Sequence, residues 1–364
     1  MAEAANKSGK FFNGSKIIYG VLIFVPIAIG ARLMHAPPLA IFILSALAII
    51  PLAGVLGSAT EELAGHTGPT LGGLINSTLG NFAELVIAGF ALHAGLVGLV
   101  KASITGSILG NLLLVMGAAQ LAGGLKYKTQ QINPKLAGLS ATLLSVAVLG
   151  LVLPALFHTL HPDPMRVATV NMSAWMSGLL ILGYLLSILY TMHTHKRLFH
   201  ENPPEVKKSH KPEMSMGRSI AILIGAAIAI SVLSEILVSV TEEATKSLGL
   251  SELFVGLILI PIIGNAAENS TAVLMAMKNR MDLAVGIAVG SSIQVALVVA
   301  PLLVFLGIFF GKPMDLAFTT MEVVSVALAV AVASSVIRDA ESDWLEGAFL
   351  LIAYAAIGVA FFFF

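Results

Sequence analysis

The stretch "GLILIPIIGNAAEN" (residues 256–269) starts as an apolar run and ends in a polar cluster with one glutamate and two asparagines. A similar cluster, "GNFAEL" (residues 80–85), interrupts an earlier apolar run. Glycine weakens a helix, and Pro261 removes a backbone hydrogen bond three residues before Gly264. The two stretches therefore predict apolar helices that are broken beside a buried glutamate, and this pattern decides the fold.

The composition is typical of a membrane protein. Of the 364 residues, 57% are hydrophobic and 11% are charged, whereas a soluble domain has about 25% charged residues. Several apolar stretches exceed the roughly 20 residues that cross a lipid bilayer as a helix, and the short alternating segments of a transmembrane barrel are missing. We expect an all-α polytopic membrane protein with no nucleic-acid partner and no cofactor. The lack of cysteine excludes disulfides, thiol catalysis and thiolate metal sites.

The hydropathy pattern predicts eleven membrane spans and a fixed orientation. With the N-terminus in the cytoplasm and the C-terminus outside, fifteen of the twenty Lys and Arg residues lie on the inner side, as the positive-inside rule requires. The five outer ones are Arg32, Lys101, Arg166, Lys246 and Lys312. The predicted spans are 17–34, 38–64, 70–95, 97–123, 136–157, 168–191, 219–247, 253–277, 281–310, 316–337 and 345–364.

An internal repeat relates the two glutamate clusters. At an offset of 184 residues, Gly80 aligns with Gly264, Glu84 with Glu268 and Ser107 with Ser291. The predicted organisation is a cytoplasmic N-terminus with an extra first helix (1–36), a five-helix repeat (37–191), a cytoplasmic linker (192–217) and a second five-helix repeat (218–364). Because five is odd, the second repeat enters the membrane from the opposite side. Such inverted-topology repeats are typical of secondary transporters, whose sites lie near the midplane between broken helices.

The chemistry of the repeated motif indicates a site for a hard cation. A glutamate deep in a membrane span is costly and is usually functional, so Glu84 and Glu268 are the predicted metal ligands. Carboxylate, amide and freed carbonyl oxygens together suit Ca²⁺. The predicted supporting positions are Asn81, Asn265, Ser77, Ser107, Asn111, Ser291, Ser292 and Gln294. The alternative for each of these is a hydrogen bond between helices, and for the two glutamates it is a structural buried acid.

Two close carboxylates also couple the cation to protons. Without a cation both cannot stay ionised in an apolar environment, so protons and Ca²⁺ compete for the same oxygens. An empty, doubly charged site would be too costly to move between the two access states. We therefore expect obligatory exchange.

A second set of acids lies at helix ends. "SATEE" (58–62) resembles "SVTEE" (239–243), and Glu235 lies one heptad before Glu242. We interpret these acids as entrances on the two membrane faces or as a relay, with solvated helix ends as the alternative. They are Glu61, Glu62, Glu235, Glu242 and Glu243.

These motifs resemble those of the calcium/cation antiporter superfamily, specifically its cation/proton exchanger branch. The segments that carry the resemblance are "GGLINSTLGNFAEL", "SITGSILGNLLLV", "GLILIPIIGNAAEN", "MDLAVGIAVGSSIQVALVVAP" and "SDWLEG". The resemblance implies a Ca²⁺/H⁺ exchanger in which Glu84 and Glu268 carry the cation and the proton. Family members are often homotrimers, so a homotrimer is among the expected assemblies.

One position departs from the family. The second motif commonly has His after its Glu, whereas this chain has Asn269, which does not titrate as His does. The long N-terminal regulatory regions of vacuolar members are also missing. The compact form favours a prokaryotic cell membrane, with a vacuolar membrane as the alternative.

The sequence therefore predicts Ca²⁺/H⁺ exchange by alternating access rather than enzymatic activity. The nearest alternative is Na⁺-coupled Ca²⁺ exchange, and a cation channel is the alternative from a different class. An intramembrane metalloenzyme is disfavoured, because the spans have no HExxH-like pair and no Ser/Lys or paired-Asp arrangement.

Overall fold

The protein is almost entirely helical in the computed structural model, which describes residues 22–67, 75, 79–161, 165–195 and 214–364. Within these ranges, the only strand pairing is one two-residue antiparallel pair, β1 (Gln130–Gln131) with β2 (Glu341–Ser342). This confirms the prediction of an all-α protein.

The helices follow one another through short connections. In chain order they are α1 (Phe24–Leu33), α2 (Pro38–Thr67), α3 (Phe82–His93), α4 (Val97–Lys126), α5 (Pro134–Leu160), α6 (Val167–Thr194), α7 (Met216–Leu248), α8 (Glu252–Gly264), α9 (Ala266–Ala276), α10 (Met281–Phe309), α11 (Thr320–Val336) and α12 (Trp344–Phe363).

Seven of these helices are long and apolar enough to cross a membrane, and the pair α8 and α9 passes the same test as one bent span. Three shorter apolar helices, α1, α3 and α11, complete the set in the described residues. Many large apolar side chains face outward; for example, Trp175 and Leu179 on α6 are 80% and 62% exposed. Such an exposed apolar surface is expected where helices face lipid rather than water.

The chain forms two compact units that differ from the two predicted repeats. The first contains the described residues within Met1–Phe90, His210–Leu250 and Ile263–Ala267. Its main contact is the packing of α7 along α2, with α1 against α2. The apolar faces of the two long helices are buried, for example at Ile49 on α2 and Leu233 on α7. This unit draws on both predicted repeats because α2 and α7, their first helices, pack on each other.

The second unit contains the described residues within Ala91–Ser209, Ser251–Ile262 and Glu268–Phe364. Its centre is formed by α4 and α10, which are the most buried of the long helices. Each of them contains one π-helical turn, Gly110–Val115 in α4 and Val295–Val299 in α10. Such turns are rare and frequently mark functional sites.

Helix α11 starts later than the sequence predicted. We expected a span from residue 316, but the helix begins at Thr320. The reason is a capping box, in which the hydroxyl of Thr319 accepts from the backbone N–H of Glu322 while the Glu322 carboxylate accepts from the backbone N–H of Thr319. The preceding residues are held instead by a buried ion pair.

Lys101 on α4 is half of that ion pair. Its ammonium donates to Asp315 Oδ1 at 2.5 Å and to the carbonyl of Ala317 at 2.8 Å. Arg166 contacts the other carboxylate oxygen, Oδ2, at 2.8 Å. The assignment of Lys101 to the outer solvated side is therefore wrong, since only 8% of the residue is exposed. The pair fastens the segment before α11 to α4 and, through Arg166, to the start of α6.

We expect Lys101→Met to destabilise the protein strongly, because it leaves Asp315 buried with a single partner. Removing one member of a buried ion pair costs on the order of 3 kcal/mol. The measurement is the thermal unfolding of the purified protein in detergent. Lys312→Met is the matched control, since Lys312 is exposed; equal losses in the two variants would contradict the role of the pair.

Candidate ion-binding site

The two sequence motifs lie at interruptions of helical structure. Asn81 directly precedes α3 and accepts the first helical hydrogen bond, from Leu85 N, at 3.0 Å. Asn265 separates α8 from α9, and the axes before and after this break differ by 65°. The breaks thus follow Gly80 and Gly264, which the sequence identified as weak points.

The breaks correct one detail of the prediction. Neither Asn81 nor Asn265 shares a continuous helical face with its glutamate, because each asparagine lies at the start of the helix that carries the acid. Asn at the N-cap with Glu three residues later is the spacing of a capping box. The same spacing in "NFAE" and "NAAE" was a signal that the sequence analysis missed.

In the first unit, Glu84 lies in the first turn of α3 and is 6% exposed. It packs against Gly264: a Cβ atom at residue 264 would be 2.9 Å from Glu84 Cγ. The two motifs therefore meet here, with the glycine of the second making room for the acid of the first. The N-terminus of a helix favours a negative charge, so this location stabilises an ionised Glu84.

In the second unit, Glu268 lies in the first turn of α9 and accepts a hydrogen bond from Ser291 on α10. Its other oxygen, Oε2, is buried and has no hydrogen-bond donor among the described residues. A buried carboxylate with an open oxygen can take a proton or contribute to a cation site. The described part of the chain contains no group of three or more His, Asp or Glu side chains placed to hold a metal, so amide, hydroxyl and carbonyl oxygens would have to complete the coordination.

The predicted supporting residues are mostly buried. Asn81 and Asn265 are each 3% exposed, and Gln294 is half-buried. Asn111 belongs to the π turn of α4, and Gln294 directly precedes the π turn of α10. The other buried members are Ser107, Ser291 and Ser292, while Ser77 lies outside the described residues.

Ser292 is oriented toward the backbone. Its hydroxyl donates toward the carbonyl of Ala288 at 3.1 Å, with the carbonyl of Ile108 on α4 at 3.5 Å. These contacts link α10 to α4, which agrees with the alternative of a helix-to-helix hydrogen bond for this residue.

Asn269, where the sequence departs from its apparent family, directly follows Glu268. Its Oδ1 atom is buried and has no hydrogen-bond donor in the ranges that the structure describes. An amide oxygen of this kind is a suitable ligand for a hard cation, so Asn269 adds a candidate ligand that the sequence analysis left without a role.

The acids at the helix ends differ in exposure. Glu61, Glu235, Glu242 and Glu243 are exposed. Glu62 is 7% exposed, and its Oε2 accepts from the backbone N–H of Met214 at 3.1 Å. The structure therefore ties Glu62 to the end of the linker before α7, and the entrance or relay role of the five acids remains a prediction.

Sequence reasoning missed a polar network beside α4. Thr105 donates to Glu322 Oε1 at 3.3 Å, one turn after the buried Lys101. The residues of this network are more than 200 positions apart in sequence, so no local pattern reveals the pairing. The available signal was the presence of charged residues within apolar helices, which membrane proteins retain when they are paired.

We expect Gly264→Ala to weaken Ca²⁺ binding roughly tenfold, because a methyl group there displaces Glu84 and a functional group must stay within about 0.5 Å of its working position. Equilibrium binding of radioactive Ca²⁺ to the purified protein measures this. Gly89→Ala on α3 is the control, since a Cβ there meets no atom within 4 Å. Unchanged binding in the Gly264 variant would contradict the contact.

Comparison with known sequences agrees with this arrangement. The model of the sodium/calcium exchanger protein family matches residues 37–193 and 218–363. A Ca²⁺/H⁺ antiporter from Aphanothece halophytica is 44% identical over 363 residues, which cover 96% of this chain and 97% of that protein. A vacuolar calcium ion transporter from Schizosaccharomyces pombe is 36% identical over 347 residues, which cover 94% of this chain and 84% of the relative.

A solved structure extends the agreement to three dimensions. The native structure of the protein YfkE has a TM-score of 0.82 and 38% sequence identity, covering 95% of this chain and all of that one. The resemblance to calcium/cation antiporters inferred from the motifs is thereby confirmed. The chain belongs to the sodium/calcium exchanger protein family.

Proposed function

We propose that this protein exchanges Ca²⁺ for H⁺ across a membrane by alternating access, with Glu84 and Glu268 as the carboxylates that bind the two ions in turn. The chain is a calcium/proton antiporter by its similarity along almost its whole length to proteins of that name. The observation that carries the residue assignment is the equivalent location of the two acids. Each is the third residue of a short helix that follows a break.

The chemistry of exchange follows from competition at these oxygens. When Ca²⁺ is bound, both carboxylates are ionised and the cation balances their charge. When it leaves, burial in an apolar region makes the doubly ionised state costly, so protons replace it. Asn81, Asn265, Ser107, Asn111, Ser291 and Gln294 supply neutral polar atoms around the acids, and Asn269 is a further candidate.

Contacts that recur at the offset of 184 residues support an internal repeat. The π turn at Gly110–Val115 corresponds to the one at Val295–Val299. A Cβ on Gly123 would meet the Gln130 side chain, and one on Gly307 would meet Met314, which are equivalent pairs. Five helices per repeat give the two halves opposite topology.

The membrane arrangement is proposed as eleven spans with a cytoplasmic N-terminus and an external C-terminus. The seven long helices, the bent pair and the three shorter apolar helices give eleven apolar segments, and the distribution of Lys and Arg supports this orientation. We propose a prokaryotic cell membrane as the location, with a homotrimer as the assembly. Cytoplasmic Ca²⁺ would then be exported on the inward proton gradient.

Purified protein in liposomes tests this function. We expect an imposed pH gradient to drive Ca²⁺ uptake, and Glu84→Gln or Glu268→Gln to abolish it, because each removes a charge that cation and proton share. Glu61→Gln is the control among exposed acids. Full transport in either site variant would refute the residue assignment.

The same liposomes separate the alternatives. The family description names sodium/calcium exchange, and Ca²⁺ uptake driven by a Na⁺ gradient at equal pH would replace the proton coupling. Ca²⁺ flux without any counter-ion gradient, with single-channel conductance in planar bilayers, would indicate a cation channel. We expect neither.

Proton competition predicts a specific pH dependence. Lowering the pH on the Ca²⁺-loading side should raise the half-saturating Ca²⁺ concentration, because protonated carboxylates do not bind Ca²⁺. The maximal rate at saturating Ca²⁺ should change far less. A maximal rate that falls while the half-saturating concentration stays constant would contradict shared oxygens.

A further inference from the structure

The end of helix α9, which carries Glu268, has an unusual number of hydrogen-bond donors around it. Asn279 has φ of 60°, and the bonds Asn279 N to Ala276 O and Arg280 N to Met275 O, both 3.0 Å, close the helix. This pattern is a Schellman motif, which satisfies some of the last carbonyls of a helix. The carbonyl of Met277 is left for donors from elsewhere.

Those donors come from the segment that ends α4. The Lys126 ammonium donates to Met277 O at 2.7 Å, and the Tyr127 hydroxyl is directed at the same oxygen at 3.4 Å. A cation at the C-terminus of a helix also interacts favourably with the helix dipole. Lys126 therefore caps α9 by both charge and hydrogen bonding.

Gln130 makes the second contact with this helix end. Its amide nitrogen donates to Ala276 O and to Asn279 Oδ1, both at 2.9 Å, and the residue is 2% exposed. A carboxylate could make neither bond, since an ionised acid only accepts. The pairing of β1 with β2 places Gln130 opposite Ser342 and holds its backbone.

Gly123 on α4 makes room for this side chain. A Cβ atom at residue 123 would be 2.0 Å from Gln130 Oε1, far inside any real contact. The glycine on α4 and the glutamine on β1 are therefore matched, and together they direct the amide at α9.

A short helix depends on such an anchor. The break at Asn265 separates α9 from α8, so α9 is an 11-residue helix without a continuous ladder of hydrogen bonds behind it. With a rise of 1.5 Å per residue, Glu268 and Ala276 are about 12 Å apart, and a tilt of about 5° about Ala276 moves Glu268 by about 1 Å. That displacement exceeds the tolerance of a preorganised site, which is about 0.5 Å.

We propose that Lys126 and Gln130 are positioning residues that anchor α9 by its C-terminus and thereby set the Ca²⁺ affinity of the Glu268 site. The inference rests on the proposed function. It assigns the anchor to affinity rather than to maximal rate, because loss of preorganisation weakens binding.

Ca²⁺ uptake in liposomes, measured over a range of Ca²⁺ concentrations, tests the anchor. We expect Gln130→Ala and Lys126→Met each to raise the half-saturating Ca²⁺ concentration about fivefold, the factor for one lost hydrogen bond. The maximal rate should stay within about twofold of the wild-type rate. Lys126→Arg keeps a charged donor and should restore most of the affinity, while Gln130→Glu should be at least as damaging as Gln130→Ala. Lys128→Met is the matched control, because Lys128 is exposed.

A double-mutant comparison separates the anchor from general destabilisation. Gly123→Ala expels the Gln130 side chain, so we expect it to reproduce the affinity loss of Gln130→Ala. The double variant should show no more than the larger single effect, since the two changes remove the same contact. Gly138→Ala is the control, because a Cβ there meets no atom within 4 Å.

The outcomes are distinct. Absence of pH-driven Ca²⁺ uptake by the wild-type protein would refute the proposed function itself. Wild-type uptake with unchanged half-saturating Ca²⁺ in the Lys126 and Gln130 variants would refute the anchor alone. A reduced maximal rate at unchanged half-saturating Ca²⁺ would also refute it. If the Gln130 variants do not fold, Lys126→Met decides, because its side chain is exposed.

Discussion

A carboxylate inside an apolar helix bundle is stable only when hydrogen bonds, a counter-charge, a proton or a cation balances it. The protein applies this constraint in two ways. Asp315 is balanced by Lys101 and Arg166, and both oxygens of Glu322 accept hydrogen bonds from Thr105 or Thr319. Glu268 has Ser291 on one oxygen and leaves the other open. Acids with every oxygen engaged hold helices together, whereas an acid with an open oxygen can exchange its partner.

Local chemistry made the helical fold and the breaks predictable from the sequence. Gly80, Gly264 and Pro261 weaken helices regardless of their surroundings, and the interruptions lie beside them. The contacts of Lys101 with Asp315 and of Gln130 with α9 were not predictable, because their partners are distant in the chain and their side chains follow no periodic pattern. The buried Ser292 shows the same limit, since only the structure reveals that its hydroxyl is directed at backbone carbonyls.

The proposed repeat is conserved in backbone geometry but not in chemistry. At the offset of 184 residues, Met277 and Lys126 correspond to His93 and Phe310. The first pair joins helix α9 to α4 by a hydrogen bond, whereas the second places the two rings edge to face at 5.3 Å, at the end of α3. Similar helix ends are thus held by a charged donor in one half and by an aromatic contact in the other. Two halves of one ancestral design need not respond alike to pH, salt or temperature.

The π turns in α4 and α10 have a consequence for how such a protein can diverge. A π turn accommodates one extra residue, which rotates the rest of the helix by about 100° relative to an uninterrupted α-helix. In α4, this rotation lies between Ser107 on one side and Gly117, which packs against α12, on the other. One rod therefore presents two independently oriented surfaces. Selection for a different ion can alter the first while the second keeps its fit to a neighbour, so specificity and assembly are free to evolve at separate rates.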